Sequence, residues 1–167
     1  MILPIYAEPQ PVLHQPATPI KEITPEIRQL ADDMLDTMRG AQGIGLAAPQ
    51  VGQSINLIVL GYEADKDDAG IPFLQLVNPR ITWTSPKQSY YEEGCLSLPG
   101  LEADVRRPVK IRVKALTVDG KPIRIAADGL LARILQHEID HLHGILFTDR
   151  VAQSELRKRS LADYPRI

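Results

Sequence analysis

Two histidines four residues apart, with a glutamate directly after the first, constrain this chain more than any other feature: they lie in Gln136-His137-Glu138-Ile139-Asp140-His141. On a helix that spacing sets His137 and His141 about 40° apart around the axis, so both imidazoles reach one metal ion while Glu138 flanks it. The flanks predict the helix. Asp128 stands where an N-cap would, Leu131, Ile134, Leu135 and Leu142 recur at helical spacing, and Gly144 is a C-terminal stop signal. His143 is no partner, because six residues from His137 it is turned about 120° away from the ligand face. The plain alternative is a polar helix face that happens to carry two histidines, and a third ligand decides between the two.

The rest of the chain narrows the setting. Its 167 residues make one domain, long enough to bury roughly 70% of the surface its unfolded form exposes. With 44% hydrophobic and 24% charged residues the composition is globular rather than disordered, and no apolar run approaches the roughly 20 residues of a membrane span. The start, Met1-Ile2-Leu3-Pro4-Ile5, lacks a basic n-region and a long apolar core, which predicts a cytoplasmic protein without membrane attachment. A formal net charge of −2 excludes any global attraction to nucleic acid or anionic lipid, so such a contact must be local. The single cysteine, Cys95, excludes an internal disulfide and stands open as nucleophile, metal ligand or small core residue.

Prolines at 4, 9, 11, 16 and 19 keep the first twenty residues out of any helix and predict an extended surface run, in which His14 is an ordinary loop histidine. Thr24-Pro25 reads as N-cap and first helical residue, followed by Ile27, Leu30, Ala31, Met34, Leu35 and Met38 at helical spacing and by Gly40. Gly43-Ile44-Gly45-Leu46-Ala47-Ala48-Pro49-Gln50 is too rich in glycine and small residues to continue that helix; it reads as a packed turn, and it is no phosphate loop because the Lys-Ser/Thr pair is missing. Strands are predicted over 55–60, 73–77 and 81–83, the last two parted by the turn signal Asn78-Pro79, and over 109–118 and 121–126 around the hairpin signal Asp119-Gly120. The acidic stretch 63–70 is a solvated turn. Helix, several antiparallel strands, then the histidine helix make an α+β fold: antiparallel β-sheets packed around a central helix that carries the His-Glu-x-x-His motif. Residues 151–167 read as a tail in which Ser154 would cap a short basic helix over 154–161.

A catalytic zinc-type site needs three protein ligands and one open position. Downstream, only Asp149, Glu155 and Asp163 remain, without a helix offset that returns them to the metal; Cys95, between Gly94 and Leu96 in a bendable loop, fits better, since a thiolate suits soft and borderline metals. The segments 43–50, Glu93-Gly94-Cys95-Leu96-Ser97 and 136–141 together resemble the three motifs of peptide deformylases, in that family's order, and the resemblance runs to about Arg150. It implies removal of the formyl group from the formyl-methionine of nascent chains and other N-formylmethionyl peptides. Cys95, His137 and His141 would hold one divalent metal, ferrous iron by the family's habit, with zinc, nickel or cobalt also suited to the ligands. Glu138 would move the proton, and Gln50 with the Leu96 N–H would stabilise the oxyanion. Ile44, Gly45, Leu130 and Arg133 would line the substrate site beside the metal, Glu93 would pair with Arg106 or, as the family favours, Arg107, and Asp140 would orient a histidine or face a strand.

Two other readings share these residues. A metallopeptidase would use the same helix but would not need Cys95 and would cut internal peptide bonds. A metal-stabilised binding module would contact RNA through Arg157, Lys158 and Arg159 without turnover; combined with deformylation, the same segment would dock a monomeric enzyme on the ribosome.

Overall fold

Thr24 caps the first helix: α1 spans Pro25–Gly40, and Thr24 Oγ1 accepts the Ile27 N–H at 3.3 Å. The computed structural model of the chain describes residues 1–160 and 167. After α1 the glycine-rich segment forms a short strand, β1 (Gly45–Ala47), and a single 3-10 turn, Ala48–Val51, rather than a turn alone. Then follow β2 (Leu57–Tyr62), β3 (Ile71–Thr84), β4 (Gln88–Gly94), β5 (Leu101–Pro108), β6 (Lys110–Leu116) and β7 (Pro122–Asp128). The histidine helix is α2 (Gly129–Leu142), and a two-residue strand, β8 (Arg157–Lys158), comes last among the described residues.

All strand pairs are antiparallel, in a five-stranded sheet ordered β1-β2-β3-β6-β7 and a three-stranded sheet ordered β4-β5-β8. Helix α2 packs against both, and residues 132–142 are all buried, so the α+β fold expected around a central motif helix is the one observed. Period-two alternation shows how one strand serves two cores: Leu57 and Val59 join Met34 and Met38 of α1, while Ile58 and Leu60 join Ile134, Leu135 and Ile139 of α2. Along β6, Ile111, Val113 and Ala115 face α2, and Arg112 and Lys114 point the other way. Helix α1 covers that outer face only beside β1, β2 and the Phe73–Val77 part of β3, with Leu116 and Val118 at its margin.

Four expectations change. The turn signal Asn78-Pro79 does not end a strand: β3 runs through it with a register shift between Val77 and Arg80. Asn78 takes φ +50, and its amide exchanges two hydrogen bonds of 2.8 Å with the Ile20 backbone, so the side chain rewards the left-handed backbone that elsewhere makes a turn. Strand β5, unrecognised because four of its eight residues are charged, alternates with Ala103, Val105 and Arg107 buried. The first twenty residues are a strap more than a surface run: Leu13 is fully buried in a 3-10 turn, and the backbone N–H groups of Tyr6, Glu8 and Ala17 donate to Gln50, Ser97 and Leu142. The basic tail is not helical over 154–160. Residues Gln153–Glu155 make a 3-10 turn and Arg157–Lys158 pair with Leu101 and Glu102 of β5; Leu161 lies outside the described residues.

Candidate active site

The three motifs converge at the buried end of the space between the sheets. Cys95, His137 and His141 each offer a ligand atom, and these atoms lie within 4.8 Å of one another. Cys95 Sγ is 3.4 Å from His141 Nε2, close to the separation of two donors on one tetrahedral ion, about 3.3–3.8 Å. Asp149 and Glu155 are not among the clustered residues, and Asp163 lies outside the described ones. Asp149 instead accepts the Leu146 N–H at 2.8 Å in the 3-10 turn Phe147–Arg150.

The imidazoles are fixed from behind. Glu93, at the end of β4, accepts the Nδ1 proton of His137 at 2.8 Å, which leaves Nε2 facing the cluster; that atom is buried and without a partner. Phe147 stacks on the far side of the His137 ring, with centroids 6.4 Å apart. Burial, then the neighbouring His137 and Arg107, hold His141 well below its ordinary pKa, in the neutral form that ligates. Burial, then the charge of Glu138, pushes the Cys95 thiol up, so a thiolate there calls for a cation beside it. A buried, unshared His137 Nε2 and a neutral His141 beside it, together with a buried sulfur that needs a positive neighbour, fit a divalent metal.

Glu138 is completely buried, and neither carboxylate oxygen has a hydrogen-bond partner among the described residues. Burial first, and then the charge of Glu93, raise its pKa well above the carboxylate range. Gly45 lies directly against it: a Cβ there would overlap Glu138 Oε1 and come within 2.9 Å of its carboxyl carbon. The Gln50 amide is equally fixed, with Oε1 accepting the Ala47 N–H at 2.9 Å and Nε2 donating to Ser97 Oγ at 3.1 Å, 3.5 Å from Cys95 Sγ. The Leu96 N–H makes no backbone hydrogen bond among the described residues.

Behind the histidines runs a buried ionic chain that sequence reading reached only in part. Arg107 grips Glu93 with Nε at 2.7 Å and Nη2 at 2.9 Å, as expected of this pair, and its Nη1 reaches Asp140 at 2.8 Å. Asp140 orients no histidine; it is held from the other side by Arg150 at 2.5 and 2.6 Å, a residue that no motif flagged. Burial alone would raise the Glu93 carboxyl, but hydrogen bonds from Arg107 and His137 outweigh it and hold the group far below the usual carboxylate range. Arg133 also turns to this chain, donating to Glu93 at 2.8 Å, to the Val105 carbonyl at 2.7 Å and to the Ser89 carbonyl at 3.1 Å. With Leu130, Tyr91 and Pro108 it borders a cavity of ≈ 190 Å³. Ile44 and Leu130 line a larger cleft of ≈ 490 Å³, together with Tyr91 and Gly94 of β4.

The comparisons agree with this geometry. The polypeptide deformylase family profile matches residues 2–157. A peptide deformylase of Brucella suis is 45% identical over 152 residues, covering 91% of this chain and 86% of that protein. Among solved structures, a peptide deformylase from Synechococcus elongatus in complex with actinonin superposes with a TM-score of 0.83 at 46% identity, covering 90% of this chain and 79% of that one. The Met-Ala-Ser-bound class I type b peptide deformylase from Acinetobacter baumannii gives 0.85 at 35% identity, with coverages of 90% and 99%. With a buried cysteine-histidine-histidine cluster beside an unpartnered glutamate, and with its whole core aligned to these relatives, this chain belongs to the polypeptide deformylase family, enzymes that use a metal ion and remove the formyl group from nascent peptides.

Proposed function

We propose that Cys95, His137 and His141 hold the metal ion and that Glu138 is the proton-transfer group of the reaction; the unpartnered carboxylate beside the ligand cluster carries this reading. When bound, the ion supplies Lewis acidity toward water and toward the formyl oxygen. Glu138 accepts a proton from the attacking water and returns it to the amine nitrogen as the formyl C–N bond breaks, giving formate and a free N-terminus. The Gln50 Nε2–H and the Leu96 N–H are the donors available to the oxyanion, and Gln50 is pre-set by its bonds to Ala47 and Ser97. Glu93 holds the tautomer and orientation of His137, and Arg107 and Arg133 hold Glu93.

The substrate enters the cleft between Ile44 and Gly94. Strands β1 and β4 are edge strands of their two sheets, so a peptide lying between them can pair with the Gly45 backbone on one hand and the β4 edge on the other, and Ile44 with Leu130 offers an apolar wall for methionine. Gly45 serves here through its backbone and its closeness to Glu138. Arg133 lies behind Glu93, outside the residues that line this cleft. Ferrous iron is the metal we assign, with zinc, nickel and cobalt as substitutes, because a mixed thiolate and imidazole set accepts all four. The site is complete within one chain, which supports action as a monomer, and action on nascent formyl-peptides supports a cytoplasmic location, where such chains are made. No helix among the described residues is long and apolar enough to cross a membrane.

Formate release from formyl-Met-Ala by anaerobically prepared protein tests the set. Cys95→Ala and Glu138→Ala should abolish turnover, the first with loss of bound metal and the second without it. Gln50→Ala should lower turnover roughly a hundredfold, as loss of one oxyanion donor costs about 3 kcal/mol. Turnover surviving in Cys95→Ala, or cleavage of internal peptide bonds, would sink the assignment and favour a metallopeptidase.

A further inference from the structure

The outer face of the five-stranded sheet is only half covered. Helix α1 packs over β1, β2 and the Phe73–Val77 part of β3, and beyond it Arg80 and Trp83 of β3, with β6 and β7, present their outward residues to solvent. Register places Arg80 opposite Lys114 and Lys114 opposite Arg124, so three cations stand in one row across three strands. The next row sets exposed Trp83 opposite Arg112, whose guanidinium lies over the indole, 5.0 Å from its centroid. Arg112, Lys114 and Arg124 also line a shallow groove of ≈ 360 Å³ between β6 and β7. None of Arg80, Arg112, Lys114 and Arg124 has an ion-pair partner among the described residues; the one carboxylate in register on this face, Asp128, stands opposite Lys110 a row further on.

Like charges directly opposite one another on neighbouring strands cost stability, and a chain whose net charge is −2 has carboxylates to spare for them. Those carboxylates are used elsewhere. Arg157 of the basic tail is ringed by Glu92, Glu102 and Asp104, at 3.9, 3.8 and 3.1 Å, and Arg159 faces Glu102 at 3.9 Å, so that segment carries little free field for a polyanion. The bare sheet face keeps its field, and it adds an indole–guanidinium pair of the kind on which an unpaired base stacks.

We propose that the outer face of β3, β6 and β7, with Arg80, Lys114 and Arg124 in one row and Trp83 with Arg112 in the next, is a docking surface for the phosphate backbone of RNA. The inference goes beyond deformylation and stands independently of the roles assigned in the site, which lies on the opposite face of this sheet. It also gives a family that acts on nascent chains a means of holding to the RNA-rich particle that makes them. Strands about 4.8 Å apart spread the three charges over roughly 10 Å, a span that one sugar–phosphate chain crosses.

Fluorescence anisotropy with a short, unstructured, labelled RNA is the test, run from about 50 to about 200 mM salt. Wild-type protein should bind with a steep salt dependence. Changing all three row residues to glutamate (Arg80→Glu, Lys114→Glu, Arg124→Glu) should weaken binding at least tenfold. The glutamine triple should flatten the slope of log affinity against log salt by about 2, from about 0.7 per lost phosphate contact. Trp83→Ala should weaken binding without changing that slope. Arg157→Glu with Lys158→Glu should leave binding as it was, and formyl-Met-Ala turnover should stay within about twofold in every variant. Undiminished affinity in both triples, loss of binding in the tail variant, or equal affinity of wild-type protein for phosphatidylserine vesicles would each overturn the proposal. A protein that binds RNA in this way but releases no formate would overturn the catalytic assignments instead.

Discussion

Gly45 shows how much of an active site can rest on an absent atom. Its backbone has an ordinary extended conformation, so an alanine there meets no φ penalty; it meets the Glu138 carboxylate instead. We expect Gly45→Ala to keep its fold and its metal but to lose roughly a hundredfold in turnover, because displacing a catalytic group by about 1 Å costs on that order. Formate release and metal content measured on one preparation check this, and loss of metal in step with activity would contradict it. The sequence marks Gly45 as a site of close approach without saying what approaches. Glu93 carries a larger load than its motif suggests, for it meets Arg107, Arg133 and His137 at once. Its depressed pKa fixes a pH dependence. The stability it contributes is fully present above the unfolded value of about 4.5 and fades as pH falls below that toward the lower folded value. In metal-free protein, Glu93→Gln should therefore flatten the decline of the urea midpoint below about pH 4.5. Glu93→Ala should cost about 3–5 kcal/mol by stranding two buried guanidinium groups.

Element by element, the helices were read most fully and the charged strands least. Helix α1 has its sequence-marked start and a bonded cap, whereas Asp128 occupies the N-cap position of α2 without a side-chain hydrogen bond. Thr24→Ala should thus lower stability by about 1 kcal/mol, and Asp128→Ala by less than about 0.5 kcal/mol, in matched urea titrations. The stop at Gly144 is as written, with φ +72, the Ile145 N–H bonded to the Asp140 carbonyl at 3.0 Å and the strap backbone at His14 packed where a side chain would stand. Strand β5 escaped notice because its arginines and acids hide the alternation of Ala103, Val105 and Arg107. A buried arginine looks like a surface residue until its partners on other elements are known. For the same reason Arg150 and Asp140 were out of reach: their bond joins α2 to a 3-10 turn, and local periodicity carries no information about such a pair.

At the scale of the whole molecule, the cysteine–histidine–histidine cluster was legible because metal chemistry limits which residues can serve and helix geometry limits where they stand. The enclosure was not, since the number of sheets depends on which strand edges stay unpaired. Two such edges are β1, a terminal strand of one sheet, and β4, a terminal strand of the other, and a cleft lined by Ile44 beside β1 and by Gly94 of β4 lies at them. Unpaired strand edges usually invite another molecule's strand, yet β1 has only three residues and its Ala47 N–H is already bonded to the Gln50 side chain, which leaves little for a foreign sheet to seize. The same edges should act as a recorder of occupancy. Amide hydrogen exchange at Gly45 and at the end of β4 should slow when a Met-Ala-Ser product is added and return when it is washed away, while β7 at the far edge of its sheet exchanges unchanged. Uniform slowing across both sheets would instead mean that the peptide tightens the whole fold. Local slowing would fit a topology that leaves one strand position open and a nascent chain that fills it for the length of one turnover.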